Sequence, residues 1–223
     1  MTTLEGAVVL VAGATGGLGS RISTLLEDAG ATVVRVSRSA GADLRSPVAI
    51  EAALDSAVKH YGRLDGVVIA TGVVAFGAAA DLEPRTVDEL FMVNTLGPIA
   101  LITAAQPYLA ASVIVGRDPF IVTLSGLVAE APVAGLAAYS ASKAALHAFV
   151  VATGREYRRG GIRIMDARPG HTATQLSAHP IAGSAPPFGP ALDPDAVAAR
   201  IVRGIADGDR DLPSTAFVSS AAD

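Results

Sequence analysis

The 223-residue chain contains no cysteine, which excludes disulfides and thiolate metal sites at once. It is also poor in charge, with 17 basic and 21 acidic side chains and a formal net charge of −4. An acidic balance of that size argues against a nucleic-acid surface. The four histidines, His60, His147, His171 and His179, show no close metal-ligand spacing, so no metal site is expected. Lysine is scarcer still: of the 17 basic side chains only Lys59 and Lys143 are lysines. Where a compact ammonium is needed, arginine cannot substitute, so each lysine position is informative. The first residues, Met1-Thr2-Thr3-Leu4-Glu5, lack the basic segment of a secretory signal, and a cytoplasmic protein is expected. The uncharged run 90–116 is interrupted by Asn94, Pro98, Gln106 and Pro107. It reads as a buried or subunit-facing helix rather than a membrane span.

What the chain does have is apolar content, 51% of residues, enough to bury a substantial core in one domain spanning 1–223. Short β-branched runs alternate with alanine-rich helical patterns, the signature of repeated βαβ units. Strands are expected at 7–12, 32–36, 66–70, 120–124 and 162–167, with one more possible at 211–218. Helices are expected at 17–29, 47–61, 87–92, 96–111, 139–158 and 194–206. Ser46-Pro47 is a start signal, since serine caps and proline fits the first helical position. Arg155, Arg158, Arg159 and Arg163 cluster around Gly160-Gly161, and three of them are read as cations in the last helical turn and just beyond it. The fold class is therefore α/β, a doubly wound parallel sheet with helices on both faces. Residues 178–194 carry five prolines and little periodicity, and read as a long loop beside the substrate.

Val8-Val9-Leu10-Val11-Ala12 runs into Gly13-Ala14-Thr15-Gly16-Gly17-Leu18-Gly19 and then into a helical pattern. Strand, glycine turn and helix start together make an anion site, because bare backbone brings phosphates close to N–H groups at the positive end of a helix. The next strand ends Val34-Arg35-Val36-Ser37-Arg38, where a carboxylate would be expected if an adenosine 2′-hydroxyl were gripped. Ser37 and Arg38 can receive a 2′-phosphate instead, which favours NADP(H), with NAD(H) possible; Arg38 can equally be a solvated charge. Asp43, followed by Leu44, reads either as a contact for the adenine amino group or as a turn residue.

Tyr139 and Lys143 are four residues apart in Tyr139-Ser140-Ala141-Ser142-Lys143. On a helix they share one face. An ammonium near a phenol favours the phenolate, so the pair is an acid/base device beside a cofactor loop, with the tyrosine pKa expected to fall.

These residues resemble the short-chain dehydrogenase/reductase family over nearly the whole chain. Gly13, Gly17 and Gly19 match its TGxxxGxG loop with Ala12 in place of threonine, Asn94 its asparagine, Tyr139 and Lys143 its YxxxK, and Pro169-Gly170 through Thr174 its PGxxxT. The resemblance implies a Rossmann-type fold and hydride transfer between nicotinamide C4 and a carbonyl or alcohol carbon. It makes Tyr139 the proton donor or acceptor, Lys143 its partner on the nicotinamide ribose, and Asn94 the anchor of a relaying water. Pro169, Gly170, Thr172 and Thr174 would hold the carboxamide and pyrophosphate side. It further implies a homodimer or homotetramer built on the helices 96–111 and 139–158.

The sequence departs from the family pattern in four places. Counted back from Tyr139, the family serine falls on Gly126; either Ser125 fills that role or the hydroxyl is missing. The usual NNAG reads Ile69-Ala70-Thr71-Gly72, keeping Gly72 and with it close backbone approach to the cofactor. The interval from Ser37 to Asp43 is short, as though a third strand or its helix were trimmed, and the C-terminal part is brief. Segments 73–80, 127–136 and 178–194 are mostly small or apolar and suggest an apolar carbonyl or alcohol substrate. The alternative is a cofactor-binding protein with little redox activity, acting as a nucleotide sensor or structural partner.

Overall fold

In the computed structural model, which describes residues 1–217, the β-branched runs form six parallel strands. These are β1 (Val8–Ala12), β2 (Thr32–Val36), β3 (Gly66–Ile69), β4 (Phe120–Leu124), β5 (Arg163–Ala167) and β6 (Asp211–Leu212). They lie in the order β2-β1-β3-β4-β5-β6. The sixth strand is thus two residues long, and Val218, the end of the run expected there, falls outside the described residues.

Six α-helices connect them: α1 (Gly17–Asp28), α2 (Pro47–Tyr61), α3 (Pro84–Phe91), α4 (Gly97–Ile114), α5 (Ala137–Tyr157) and α6 (Pro194–Asp207). The chain leaves β1 through α1 to β2 on one side, then returns through α2 to β3 on the other. That reversal beside β1 is a topological switch point, which opens a crevice at the carboxyl ends of β1 and β3.

Alternating side chains give the sheet two cores. Val9, Val11, Val68, Val122 and Met165 face α1 and α6, meeting Ile22, Leu26, Val197, Ile201 and Ile205. Leu10, Val67, Ile69, Ile121 and Ile164 face the other way, toward Ile50 and Leu54 of α2, Leu101, Ile102 and Leu109 of α4, and Leu146 and Val150 of α5. Each such buried side chain contributes roughly 1.5–3 kcal/mol. The helical run Pro84–Ile114 is long and apolar enough to cross a membrane by composition; here Leu101, Ile102, Ala105 and Leu109 bury one side of it in the second core.

Local chemistry sets the helix ends. Ser46 Oγ accepts from Ala49 N at 3.3 Å, with Pro47 opening α2, and Asp193 caps α6 ahead of Pro194. Between α3 and α4 the helix widens into a π-turn, Met92–Leu96, which carries Asn94. Between β2 and α2 no strand forms among the described residues, only the short 3-10 turn Arg38–Ala40. The short Ser37–Asp43 interval has removed both elements that could stand there, so β2 is left as the sheet edge.

Arg163 stands in β5, inside the strand run expected at 162–167, and is buried. Its guanidinium donates to Asp209 O, Ile205 O and Thr2 Oγ1, and lies over the Phe120 ring.

Candidate active site

The crevice at the switch point encloses about 210 Å³. It gathers most of the residues expected to hold a nucleotide: Gly13, Thr15 and Gly16 from the first turn, Ser37 and Arg38 after β2, Asp43 and Leu44 before α2, and Ala70, Thr71 and Gly72 after β3. Gly16 is the N-cap of α1, with no side-chain hydrogen bond to the first turn and no acidic residue in it. The positive end of that helix is open to an anion. A Cβ on Gly19 would overlap the Gly13 carbonyl oxygen, so only glycine allows this turn to fold so tightly. Leu18 packs partly against the first core instead of lining the crevice, and buried Leu44 belongs to the second.

At the far end of this crevice Ser37 is buried, with its hydroxyl 3.0 Å from that of Ser39. Asp43 is clasped by Arg45, whose Nη2 and Nε donate to Oδ2 at 2.6 and 2.9 Å. That clasp holds the Asp43 carboxyl below the usual range. Arg45 itself lines the crevice and was not singled out from the sequence. Thr71 Oγ1 is buried with no hydrogen-bond partner.

Tyr139 and Lys143 stand on the first turns of α5. Tyr139 is half-buried and packs against two small apolar clusters, Val74, Phe76 and Leu136 in one and Ala75, Leu90 and Ala138 in the other. Lys143 is 4% exposed, and its Nζ donates to Leu124 O at 2.8 Å. Asn94, fully buried, accepts from Val73 N and donates to Val73 O, both at 2.9 Å, and donates to Ser142 Oγ at 3.1 Å. Its amide thereby fixes the segment after β3 to α5. A Cβ at Gly72 would lie 3.4 Å from Lys143 Nζ and 3.5 Å from Asn94 Oδ1, so these three positions converge.

The expected fall in the tyrosine pKa is absent from this structure. Burial pushes the Tyr139 phenol up to about 12, and no hydrogen bond joins it to Lys143 among the described residues. Burial also lowers Lys143 to about 8, against an opposing pull from Asp166. The ammonium is turned to the Leu124 carbonyl.

Ser125 is not brought into the crevice. It is fully buried, and its Oγ donates to Asp166 Oδ2 at 2.6 Å. Gly126 has φ +78°, and a Cβ there would meet only Pro169 O at 3.6 Å. The family hydroxyl is therefore committed elsewhere at one position and missing at the other.

Asp166 was not singled out from the sequence, nor was its set of partners. The carboxylate also accepts from Thr123 Oγ1 at 2.7 Å, lies 2.7 Å from His147 Nδ1, and is 3.3 Å from Arg168 Nη1. Arg168 pairs in turn with Asp211 and Glu130. Burial works to raise the Asp166 pKa, but bonds from His147, Ser125 and Thr123 hold it below the usual range. The bond to Asp166 raises that of His147. A signal was present in the sequence: His147 follows Lys143 by four residues, as Lys143 follows Tyr139.

The segment after β5 completes the floor. Leu127 N donates to Pro169 O, Thr172 Oγ1 donates to Gly170 O at 2.9 Å, and a Cβ on Gly17 would meet Thr174 Cβ at 2.7 Å. The long loop is fastened across the top by Ile181 N to Val74 O and Phe76 N to Ala182 O. Phe188 stacks on His171 at 4.2 Å between ring centres and lies 5.9 Å from Phe76.

A sequence profile of the short chain dehydrogenase family matches residues 39–182. The chain belongs to that family. An uncharacterised oxidoreductase of Methylorubrum extorquens is 30% identical over 196 residues, which cover 78% of this chain and 77% of that protein. Among solved structures, a 3-ketoacyl-(acyl-carrier-protein) reductase from Brucella melitensis complexed with NADH superposes with a TM-score of 0.85. It is 23% identical and covers 96% of this chain and 100% of its own. A short chain dehydrogenase from Burkholderia cenocepacia in complex with NADP gives a TM-score of 0.80 at 20% identity, covering 96% and 89%. This dehydrogenase-family chain thus has the fold and the cleft of an oxidoreductase family whose members are seen with either nicotinamide cofactor. Its own residues fit such a group: an uncapped helix start faces the crevice, and a buried threonine hydroxyl in the crevice wall has no protein partner.

Proposed function

We propose that the protein is an NADP(H)-dependent oxidoreductase that interconverts a ketone and a secondary alcohol, with Tyr139 as the acid/base. The observation that carries this reading is the convergence of Lys143 and Asn94 on Gly72, which lines the nucleotide crevice, with Tyr139 one turn before Lys143 on α5. The nicotinamide cofactor, when bound, supplies the hydride exchanged with the carbonyl carbon. Gly13, Thr15, Gly16 and the open start of α1 would hold its phosphates, and Thr71 its ribose side. Ser37, Arg38 and Arg45 would receive a 2′-phosphate, in a crevice end where the lining carboxylate, Asp43, is paired with Arg45.

In the reducing direction the Tyr139 phenol gives its proton to the carbonyl oxygen as the alcohol forms. Burial keeps that proton on Tyr139 until a substrate oxygen arrives. The phenolate left behind is stabilised by the Lys143 ammonium, which spends one of its three donors on Leu124 O and has two more to give. Apolar walls from Val74, Phe76, Leu136 and Ile181 suit an apolar carbonyl compound. We further propose that a second copy packs on α4 and α5, where Leu96, Ile114 and Val151 are exposed at 50%, 85% and 43%.

The first test titrates the protein with NADPH and NADH by fluorescence, then assays a panel of ketones. Tyr139→Phe should bind NADPH as the parent does and lose turnover by about 10²-fold or more, the usual scale of a general acid. Unchanged turnover would remove Tyr139 from the reaction. A second reading, a nucleotide-binding protein with little redox activity, is favoured by the commitment of Ser125 to Asp166 and the bare Gly126. Tight NADPH binding without turnover of any ketone would select it.

A further inference from the structure

We propose that Asp166 is a positioning residue for the reactive pair: fixed behind Lys143 by Thr123, Ser125, His147 and Arg168, its carboxylate supplies the countercharge that keeps the lysine an ammonium in its buried site. This rests on the reading of Tyr139 and Lys143 as the pair that moves the proton. The geometry converges on the Leu124-Ser125 dipeptide. Lys143 Nζ is anchored to the Leu124 carbonyl, while Ser125 Oγ is anchored to Asp166. On β5, Asp166 is the register partner of Thr123, one residue before Leu124. On α5, His147 stands one turn beyond Lys143 and reaches the same Asp166 oxygen as Ser125. Lysine and carboxylate are therefore held from two elements at once, and neither can swing away without breaking several bonds.

No ion pair within 4.0 Å joins Lys143 to a carboxylate among the described residues, and Asp166 is the anion whose attraction reaches it. His147 faces the carboxylate from α5, and Arg168 faces it from the end of β5. Glu130 and Asp211 are paired with Arg168. Tyr139 and Asn94, on the other side of the lysine, are uncharged groups. The attraction of Asp166 opposes the effect of burial on Lys143. An ammonium buried this deeply with no countercharge loses its proton near neutrality or below. A neutral amine could neither stabilise a phenolate nor donate with the same strength. The serine that the family would aim at a substrate is here spent on holding that countercharge, so Ser125 serves the lysine and not the carbonyl.

The scarcity of lysine makes a direct test available. Protein grown with lysine labelled at Cε with carbon-13 gives two side-chain resonances, Lys59 and Lys143, assigned with Lys59→Arg and followed from about pH 5 to pH 11. In the parent the Lys143 midpoint should lie near about 8 or above. In Asp166→Asn it should move about one pH unit or more toward acid, the scale of losing a neighbouring opposite charge. An unmoved midpoint in a folded Asp166→Asn protein would overturn the proposal, because a merely structural brace would not set the titration. Should that variant fail to fold, the parent titration decides alone: a midpoint of about 6 or lower, that of a buried lysine with no countercharge, would overturn the proposal. The resonance is read without cofactor. A protein that fails to bind NADPH therefore overturns the oxidoreductase reading, and a misplaced lysine midpoint overturns this one.

Discussion

Lys143 meets two opposed demands, since burial penalises the charge that the proposed reaction uses. Its pKa in the folded chain, about 8, lies below the ordinary 10.5. Below pH 8 both folded and unfolded chains carry the proton, and the folded state bears the full penalty of holding it. Between 8 and 10.5 the folded chain releases the proton while the unfolded chain keeps it, so stability rises with pH. Above 10.5 no further change follows. The interval corresponds to ~3 kcal/mol. Lys143→Met should therefore raise the free energy of unfolding by about that amount at pH 7, measured by urea denaturation, with the gain fading toward pH 10.5. No gain at pH 7 would mean that the Leu124 and Asp166 contacts compensate the burial in full. At this scale the sequence was a good guide to where Tyr139 and Lys143 stand, four residues apart on one helix, and to the glycine turn before α1, because both patterns are local. It said nothing of Asp166, because a carboxylate in a strand acquires meaning only through residues brought beside it from β4 and α5.

Among the elements, the turn after β4 decides what can be restored by mutation. Returning the family serine by Gly126→Ser places a side chain at φ +78°, a backbone region that costs an ordinary residue about 1–2 kcal/mol. Space is not the obstacle, since the nearest atom to a Cβ there is Pro169 O at 3.6 Å. The variant is expected to lose roughly 1 kcal/mol in a urea melt, and a variant as stable as the parent would show that the turn flips to accept the residue. Strands and helices were legible where hydrophobic period and caps agreed. The runs 32–36, 47–61 and 120–124 have the boundaries that Ser46-Pro47 and the β-branched clusters imply. The two-residue helix start before Tyr139 and the widened turn at Met92–Leu96 were not legible, because neither depends on a local pattern. The second is held open by Asn94 bonding to Val73 across the site.

At the level of the whole molecule, the short connection between β2 and α2 ends the sheet early, so one flank of the domain is a bare strand and the other a two-residue strand. Growth of the assembly through those edges would need register that neither supplies well. The helical side, with exposed Leu96, Ile114 and Val151, offers the apolar area instead. Sedimentation velocity should give a dimer or tetramer, and Val151→Glu should shift it toward monomer. A monomer at every concentration would leave α4 and α5 as ordinary solvent faces. The depth of Lys143 has a practical corollary for handling the protein. Of the two lysines, Lys59, in the exposed last turn of α2, is then the one open to an acylating reagent. Amine-directed dyes or resins would attach the folded chain through Lys59 while leaving Lys143 untouched, and modification of Lys143 would report that the chain had opened.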